Sequence, residues 1–248
     1  MRKEQRRDDQ LRPVTIVPGY LKGVPGSALI EQGDTRVVCA ATLEERVPPF
    51  LKGLGKGWIT AEYAMLPGSS GRQRVARERN KVNNRFGEIQ RFVSRALRAA
   101  VDLRQFGERT ITVDADVIQA DGSTRCASVN GAFVSLLLCL KHLVFEHLIA
   151  DFPRVRFLAA VSLGVKEGRI LADLDYDEDA AIDMDINLVS SQQGELIQVM
   201  AFGEGAPLAP ELFARTVALG VEKNREIIGI IKKNLAASGL DVGRLGGA

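Results

Sequence analysis

Cysteine and histidine are scarce in this chain of 248 residues, which argues against several kinds of chemistry. Its three cysteines, Cys39, Cys126 and Cys139, each lie inside an apolar stretch. An odd, scattered set of this kind favours reduced thiols in a cytoplasmic protein over a disulfide framework. The two histidines, His142 and His147, have no further ligands at metal-site spacing. We therefore expect neither a cysteine/histidine metal site nor histidine-based catalysis.

Three further features are missing. The chain has no uninterrupted apolar run of about 18 residues, so we expect no membrane-spanning segment. Its charged N-terminus has no apolar core, so we expect no signal peptide, and residues 1–11 predict a loosely held arm. The glycine-rich loop at 51–57 is not a Walker A loop, because no serine or threonine follows its lysine.

The net charge is only +2, but the charges are separated along the chain. Nine basic and two acidic residues lie between Arg72 and Arg98, whereas seven acidic and no basic residues lie between Asp173 and Asp185. This separation is compatible with a track for a polyanion beside a metal site, although charge blocks alone favour the simpler interpretation. Two unrelated solvated faces are the alternative.

Hydrophobic periodicity predicts the elements. Alternation predicts strands at 12–17, 27–31, 35–44, 58–65, 110–120, 156–165, 169–174, 182–190 and 196–202. Helical patterns cover 88–101, 124–144 and 209–235, and residues 67–84 predict an exposed loop. The elements form two comparable groups of hairpin and helix. This favours one α+β domain of two β-sheet and helix layers at 1–237, followed by a flexible glycine-rich tail at 238–248.

The stretch between the strand at 110–120 and the buried helix at 124–144 is a candidate phosphate cradle. Asp121-Gly122 predicts a turn, and Ser123 or Thr124 is a natural N-cap. A helix N-terminus attracts anions, and Arg125 in the first turn opposes the dipole unless an anion lies beside it. An ordinary capped helix with a solvated arginine is the alternative.

A second candidate site lies on the strand at 182–190. Period two places Asp183, Asp185 and Asn187 on the face opposite the apolar residues, and Asp179 lies in the approach to the strand. Neighbouring carboxylates repel unless a cation lies between them, and Mg²⁺ is usually held by one or two carboxylates with water and phosphate. These residues therefore predict a Mg²⁺ site. A solvent-facing acidic edge that discourages strand pairing is the alternative.

Motifs over nearly the whole chain resemble the ribonuclease PH family of phosphate-dependent 3′-exoribonucleases. They are Asp9–Thr15, Glu31–Thr35, Pro49–Lys52, Trp58–Tyr63, Met65–Pro67, Glu88–Arg91, Leu97–Asp102, Val117–Gly122 and the pattern Tyr176, Glu178, Asp179, Asp185 and Asn187. The resemblance implies the fold of that family, which is similar to ribosomal protein S5 domain 2.

The resemblance also implies residue roles. The implied phosphate-binding residues are Arg85, Ser123, Thr124 and Arg125, and the implied catalytic and metal-binding residues are Asp179 and Asp185. Ser123 replaces the usual glycine, which preserves a backbone N–H that faces the anion. The basic loop departs from the family, since Gly68 stands where an arginine is usual. The RNA-binding residues expected there are Arg72, Arg74, Arg77 and Arg79.

The implied activity is phosphorolytic trimming of RNA 3′ ends, those of tRNA precursors above all, by a nucleotidyltransferase. Inorganic phosphate is the implied co-substrate, Mg²⁺ the implied cofactor and a hexameric ring of identical chains the implied assembly, with no membrane partner. An exosome-type ring subunit, either catalytic or only RNA-binding, is the alternative. Subunits that only bind RNA typically lack the arginine and aspartate set that this chain keeps.

Overall fold

The computed structural model of the protein describes residues 2, 5–71, 74–75, 84–203, 207 and 209–243. The strands of its first sheet are β1 Val14–Pro18, β2 Gly26–Gln32, β3 Thr35–Glu44, β4 Trp58–Met65 and β5 Thr110–Gln119. The strands of its second sheet are β6 Leu158–Lys166, β7 Arg169–Ala172, β8 Met184–Ser191 and β9 Leu196–Gly203. The helices are α1 Asn84–Ala100, α2 Thr124–Phe145, α3 Tyr176–Asp179 and α4 Pro210–Ala237, with a short 3-10 helix at Pro49–Leu51.

The first sheet has the order β1-β2-β3-β5-β4, in which only the β4–β5 pair is parallel. The second sheet, β7-β6-β8-β9, is antiparallel throughout. Alternation explains the packing of β5, because Ile111, Val113, Ala115 and Val117 share one face and are at most 1% exposed. The predicted α+β fold of two sheets with helices is confirmed.

Helix α2 forms the centre of the core. It packs on β2, β3 and β5 of the first sheet and on β6 of the second. By length and composition α2 could cross a membrane, but 72% of its most apolar stretch is buried inside the protein. Helix α4 packs on the second sheet and also contacts β1, so it helps to join the two halves.

Two element boundaries differ from the prediction in ways that affect the site. Helix α1 begins at Asn84 rather than at residue 88, because Phe86 extends its buried stripe by one turn. Arg85 is therefore in the first turn of a helix and not in the preceding loop. The short helix α3 was not predicted, since its acidic sequence has no apolar periodicity. A capping box stabilises this helix, in which the side chains of Asp175 and Glu178 each accept a hydrogen bond from the backbone N–H of the other residue.

The described residues of the N-terminal segment, 2 and 5–11, are held in place, so the prediction of a loosely held arm is wrong for them. Arg2 donates to both carboxylate oxygens of Glu178, at 2.6 and 2.9 Å, and to the carbonyl oxygens of Ala172 and Asp173. Arg6 donates to the same carboxylate at 3.1 Å and to the Asp173 carbonyl at 3.0 Å. The side chains of Arg2 and Arg6 are only 5% and 4% exposed.

The three cysteines are free and buried, as their apolar surroundings predicted. The division into one domain and a tail stays a prediction. Within the predicted tail, Leu240 is buried and the Ser238 carbonyl accepts a hydrogen bond from Lys141. Residues 244–248 lie outside the described part of the chain.

Candidate active site

An open cavity of about 660 Å³ brings together residues that are far apart in the sequence. The predicted site residues that line it are Arg74, Arg85, Ser123, Thr124, Arg125, Asp179 and Asp185. Apart from Arg74, which belongs to no helix or strand, they come from the starts of α1 and α2, the end of α3 and the start of β8. The other predicted RNA-binding residues, Arg72, Arg77 and Arg79, lie outside the described residues.

Two helix N-termini meet at this cavity. Helix α1 and helix α2 each carry an arginine at their second residue, Arg85 and Arg125, and neither has an acidic residue in its first turn. The N-terminus of each helix carries about half a positive charge and unsatisfied backbone N–H groups. This wall of the cavity is therefore suited to an anion.

Arg125 is held by carboxylates on two sides. Its Nη2 lies 2.9 Å from Glu88 Oε1, and its Nη1 lies 3.8 Å from Asp185 Oδ2. Its guanidinium carbon lies 6.0 Å from the centre of the Phe92 ring. The Nε atom is buried and has no hydrogen-bond partner among the described residues. A buried donor without a partner is costly, so this atom is available to an anion in the cavity.

Ser123 is the N-cap residue of α2, one of the two predicted, but its side chain makes no capping hydrogen bond. Its backbone is left-handed, with φ of +55°. Its hydroxyl hydrogen-bonds to Ser162, Asp173 and the carbonyl of Leu174, all in the second half of the chain. The Ser123 hydroxyl is therefore engaged within the protein, and the expectation that its backbone N–H faces an anion stays a prediction.

The turn before α2 is shaped by a close approach between the two halves. Gly122 has φ of +75°, and a Cβ atom at this position would overlap the Leu174 carbonyl and the backbone of Asp175. Only glycine fits such a contact without strain. Thr35 Oγ1 accepts a hydrogen bond from the Asp121 N–H at 2.9 Å and donates to the Gly122 carbonyl at 2.6 Å. The start of α2 is thus fixed from both sides.

Asp173, the first residue of the acidic block, is a buried structural carboxylate. It is 0% exposed and left-handed, with φ of +56°. Arg12 donates to it from the backbone N–H, Nε and Nη2 at 2.7, 3.1 and 2.7 Å, and Gln32 donates at 2.8 Å. These contacts compensate for the burial of its charge. Asp173 therefore joins β7 to the first half of the chain.

The rest of the acidic block divides by position. Asp183 accepts a hydrogen bond from the Glu167 N–H at 2.7 Å and does not line the cavity, whereas Asp179 and Asp185 do. Asn187, on the same strand face as Asp185, donates to its Oδ2 at 2.9 Å. This bond orients one carboxylate oxygen.

The two carboxylates fit the way in which Mg²⁺ is usually held. In the described ranges, no three histidine, cysteine, aspartate or glutamate side chains form a complete metal cluster. Mg²⁺ usually takes only one or two carboxylates and completes its shell with water and substrate phosphate. Asp179 and Asp185 supply two carboxylates, which is within the number that Mg²⁺ usually takes from a protein.

Sequence reasoning assigned no role to several side chains that line this cavity or contact its lining residues. Glu88 and Tyr63 belong to the quoted motifs, yet only the fold shows that Glu88 contacts Arg125 and that Tyr63 contacts Thr124. Exposed aromatic rings, Tyr176 and Phe202, also line the cavity. Their exposure was the missing signal, because an isolated aromatic residue in a sequence gives no indication of whether it is buried.

Comparison with known proteins identifies the family. The model of the 3′ exoribonuclease family, domain 1, matches residues 10–141, and that of domain 2 matches residues 157–223. Ribonuclease PH of Syntrophomonas wolfei subsp. wolfei is 43% identical over 233 residues, which cover 93% of this chain and 97% of that protein.

Solved structures share the fold. The Archaeoglobus fulgidus exosome with RNA bound to the active site aligns with a TM-score of 0.78 and 22% identity, over 91% of each chain. Rice (Oryza sativa) Rrp46 aligns with a TM-score of 0.74 and 20% identity, over 94% of this chain and 100% of that one.

The chain belongs to the 3′ exoribonuclease family. Its activity is that of a phosphorolytic exoribonuclease, a nucleotidyltransferase for which inorganic phosphate is the co-substrate. The predicted family, fold class and enzyme class are therefore confirmed.

Proposed function

We propose that the cavity at the starts of α1 and α2 is where inorganic phosphate attacks the last phosphodiester of an RNA 3′ end. One observation carries this proposal: two positive helix N-termini, each with an arginine, line the same cavity as Asp179 and Asp185. An anion-binding wall beside a pair of carboxylates is what a reaction between two phosphate groups requires.

The reaction forms and breaks one bond at the same phosphorus atom. An oxygen of inorganic phosphate bonds to the phosphorus of the terminal nucleotide, and the bond from that phosphorus to the preceding 3′ oxygen breaks. The 3′ oxygen takes up the proton that the attacking phosphate loses and stays on the shortened RNA. The terminal nucleotide leaves as a nucleoside diphosphate, and the reverse reaction polymerises nucleoside diphosphates.

Both reacting groups are anions, so the main task of the protein is to neutralise and align them. The guanidinium groups of Arg85 and Arg125 offer planar donors that match phosphate oxygens. The Thr124 hydroxyl and the Ser123 backbone N–H add directional hydrogen bonds at the helix start. Glu88 keeps the Arg125 side chain beside the cavity wall in the absence of phosphate.

Asp179 and Asp185 are the residues that would hold Mg²⁺. The bound ion would stabilise the negative charge on the scissile phosphate and on the leaving oxygen. Asn187 orients the Asp185 carboxylate. Arg125 Nη1 lies 3.8 Å from the same carboxylate, so the phosphate wall and the carboxylate pair are adjacent.

The proposed substrate is tRNA with a 3′ extension. Arg74 is exposed and lines the cavity, so it is positioned to meet the RNA backbone near the reacting end. We assign the same role to Arg72, Arg77 and Arg79. A ring of six identical chains and a cytoplasmic location complete the proposal. The family resemblance supports the ring, and the three buried free thiols support the location.

Product analysis tests the proposed function. A 3′-extended RNA is incubated with the protein, with and without inorganic phosphate, and the released nucleotide is identified. We expect nucleoside diphosphates, and only when phosphate is present. Release of nucleoside monophosphates at an equal rate in phosphate-free buffer would indicate a hydrolase and contradict the proposal. RNA binding without nucleotide release would leave only the role of an RNA-binding ring subunit.

A further inference from the structure

Tyr63 lies beneath the cavity wall and contacts a proposed phosphate ligand. Its side chain is 2% exposed, and its ring meets the Phe86 ring edge-on with the ring centres 5.3 Å apart. Its hydroxyl donates a hydrogen bond to Thr124 Oγ1 at 3.1 Å. Among the described residues, Thr124 is the hydrogen-bond partner of the Tyr63 hydroxyl.

The Tyr63 hydroxyl keeps its proton at neutral pH. Burial raises the pKa of Tyr63, and this effect outweighs the opposing effects of the hydrogen bond to Thr124 and of the positive charges of Arg85 and Arg125. The phenol is therefore a permanent donor under working conditions.

The direction of this hydrogen bond matters for Thr124. A threonine hydroxyl has one hydrogen to donate and two lone pairs to accept with. When Tyr63 donates to the oxygen, it occupies one lone pair and restrains the side chain, and the hydroxyl hydrogen is left for another acceptor. No described residue accepts a hydrogen bond from Thr124 Oγ1.

We propose that Tyr63 is a positioning residue for the binding of inorganic phosphate. Tyr63 holds the Thr124 hydroxyl so that the hydroxyl hydrogen points to the phosphate. Tyr63 acts through Thr124 and does not touch the phosphate itself. The inference rests on the proposed function, since it assumes that Thr124 binds phosphate.

The test uses Tyr63→Phe in the full-length protein, because this change removes the hydroxyl and keeps every carbon atom that packs on Phe86. Nucleoside diphosphate release is measured at varied phosphate and at varied RNA. We expect the KM for phosphate to rise about three- to tenfold, the effect of one hydrogen bond, while kcat and the KM for RNA stay within about twofold. Tyr20→Phe, which removes the same group at an exposed position, is the matched control and should leave all three constants unchanged.

A double-mutant cycle with Thr124→Val separates the relay from a direct effect. If Tyr63 acts through Thr124, adding Tyr63→Phe to Thr124→Val should raise the phosphate KM no further. An equal rise in both backgrounds would overturn the proposal, and so would an unchanged phosphate KM in Tyr63→Phe. Loss of folding in Tyr63→Phe would assign the hydroxyl to stability and would also overturn it.

The same measurements distinguish failure of the inference from failure of the proposed function. If Thr124→Val raises the phosphate KM and Tyr63→Phe does not, the phosphate site holds and only the role of Tyr63 is wrong. If Thr124→Val and Arg125→Ala both leave phosphate kinetics unchanged, the phosphate site lies elsewhere.

Discussion

Ser123 and Asp173 both adopt the left-handed backbone conformation, and the Ser123 hydroxyl lies 3.1 Å from Asp173 Oδ1. Ser123 stands at the start of α2, and Asp173 follows β7 in the second half of the chain. Arg12 adds three hydrogen bonds to the same carboxylate. The start of α2 and the acidic segment that leads to Asp179 are therefore joined through one buried network.

Substitution of Ser123 tests this relationship. A left-handed residue other than glycine costs roughly 1–2 kcal/mol, and Ser123→Ala keeps this cost while losing the hydroxyl. Ser123→Gly loses the same hydroxyl but removes the strain. We expect both variants to be destabilised in urea unfolding, with the glycine variant about 1 kcal/mol more stable than the alanine variant. Equal stability of the two would show that the backbone strain at this position is negligible.

Arg125→Ala should slow phosphorolysis by about 100- to 1000-fold, by analogy with the loss of one preorganised donor to a developing charge. Arg98→Ala is the matched control. Arg98 packs over the Trp58 ring at 4.4 Å, donates to the Ile59 carbonyl and does not line the cavity, so its loss should affect stability more than rate. A loss of less than about tenfold in Arg125→Ala would mean that Arg125 pairs with Glu88 and Asp185 without binding phosphate.

Glu178 makes stability depend on pH. Burial alone would raise the pKa of Glu178, but hydrogen bonds from Arg2 and the Asp175 N–H, together with the charges of Arg2 and Arg6, lower it below its ordinary value of 4.5. A carboxylate with a lowered pKa stabilises the fold above its unfolded pKa, and this contribution is lost as the pH falls through its folded pKa.

Glu178→Gln should therefore be less stable than the wild type at pH 7, by about 3 kcal/mol, because two buried arginines lose their charged partner. The difference should shrink as the pH falls below about 4.5, where the wild-type carboxylate becomes protonated. Urea unfolding at several pH values measures it. A difference that stayed constant or grew in acid would mean that Glu178 is not the partner of these arginines.

Asp185→Asn should fold and bind RNA yet turn over at least about 100-fold more slowly, since a bound cation supplies several kcal/mol of charge stabilisation. Asn is nearly isosteric with Asp, so the change removes the charge and little else. Asp183→Asn, two residues earlier and outside the cavity, is the matched control and should keep its rate. If Asp185→Asn raised the melting temperature and left the rate unchanged, the carboxylates would only repel each other and the metal role of Asp185 would be wrong.

The hydrophobic patterns within single segments of the sequence account for much of the fold. The alternation of β5 and the apolar length of α2 predicted the strand, turn and buried helix, because both signals lie within single segments. The arm containing Arg2 and Arg6 could not be predicted in this way, since its partner Glu178 is more than 170 residues away. Its polar composition is also what a disordered segment shows.

Residue patterns alone indicated an anion site at the start of α2 and a Mg²⁺ site at the acidic strand, whereas only the family resemblance joined the two and added Arg85. No spacing in the sequence indicates that Arg125 lies beside Glu88 and Asp185, because these contacts depend on how two sheets pack around α2. The left-handed conformation of Ser123 was likewise hidden. Ser123 lies next to Gly122, which approaches Leu174 closely, and a single sequence does not show that contact. The roles assigned to the site residues stay predictions until kinetics test them.

The proposed chemistry predicts where the phosphorus atom of the attacking inorganic phosphate goes. When 3′-extended RNA is incubated with phosphorus-labelled inorganic phosphate, the label should appear in the terminal phosphoryl group of every nucleoside diphosphate released, in a one-to-one ratio. The shortened RNA should carry no label. Unlabelled nucleoside monophosphates, formed at the same rate whether or not phosphate is present, would contradict the account.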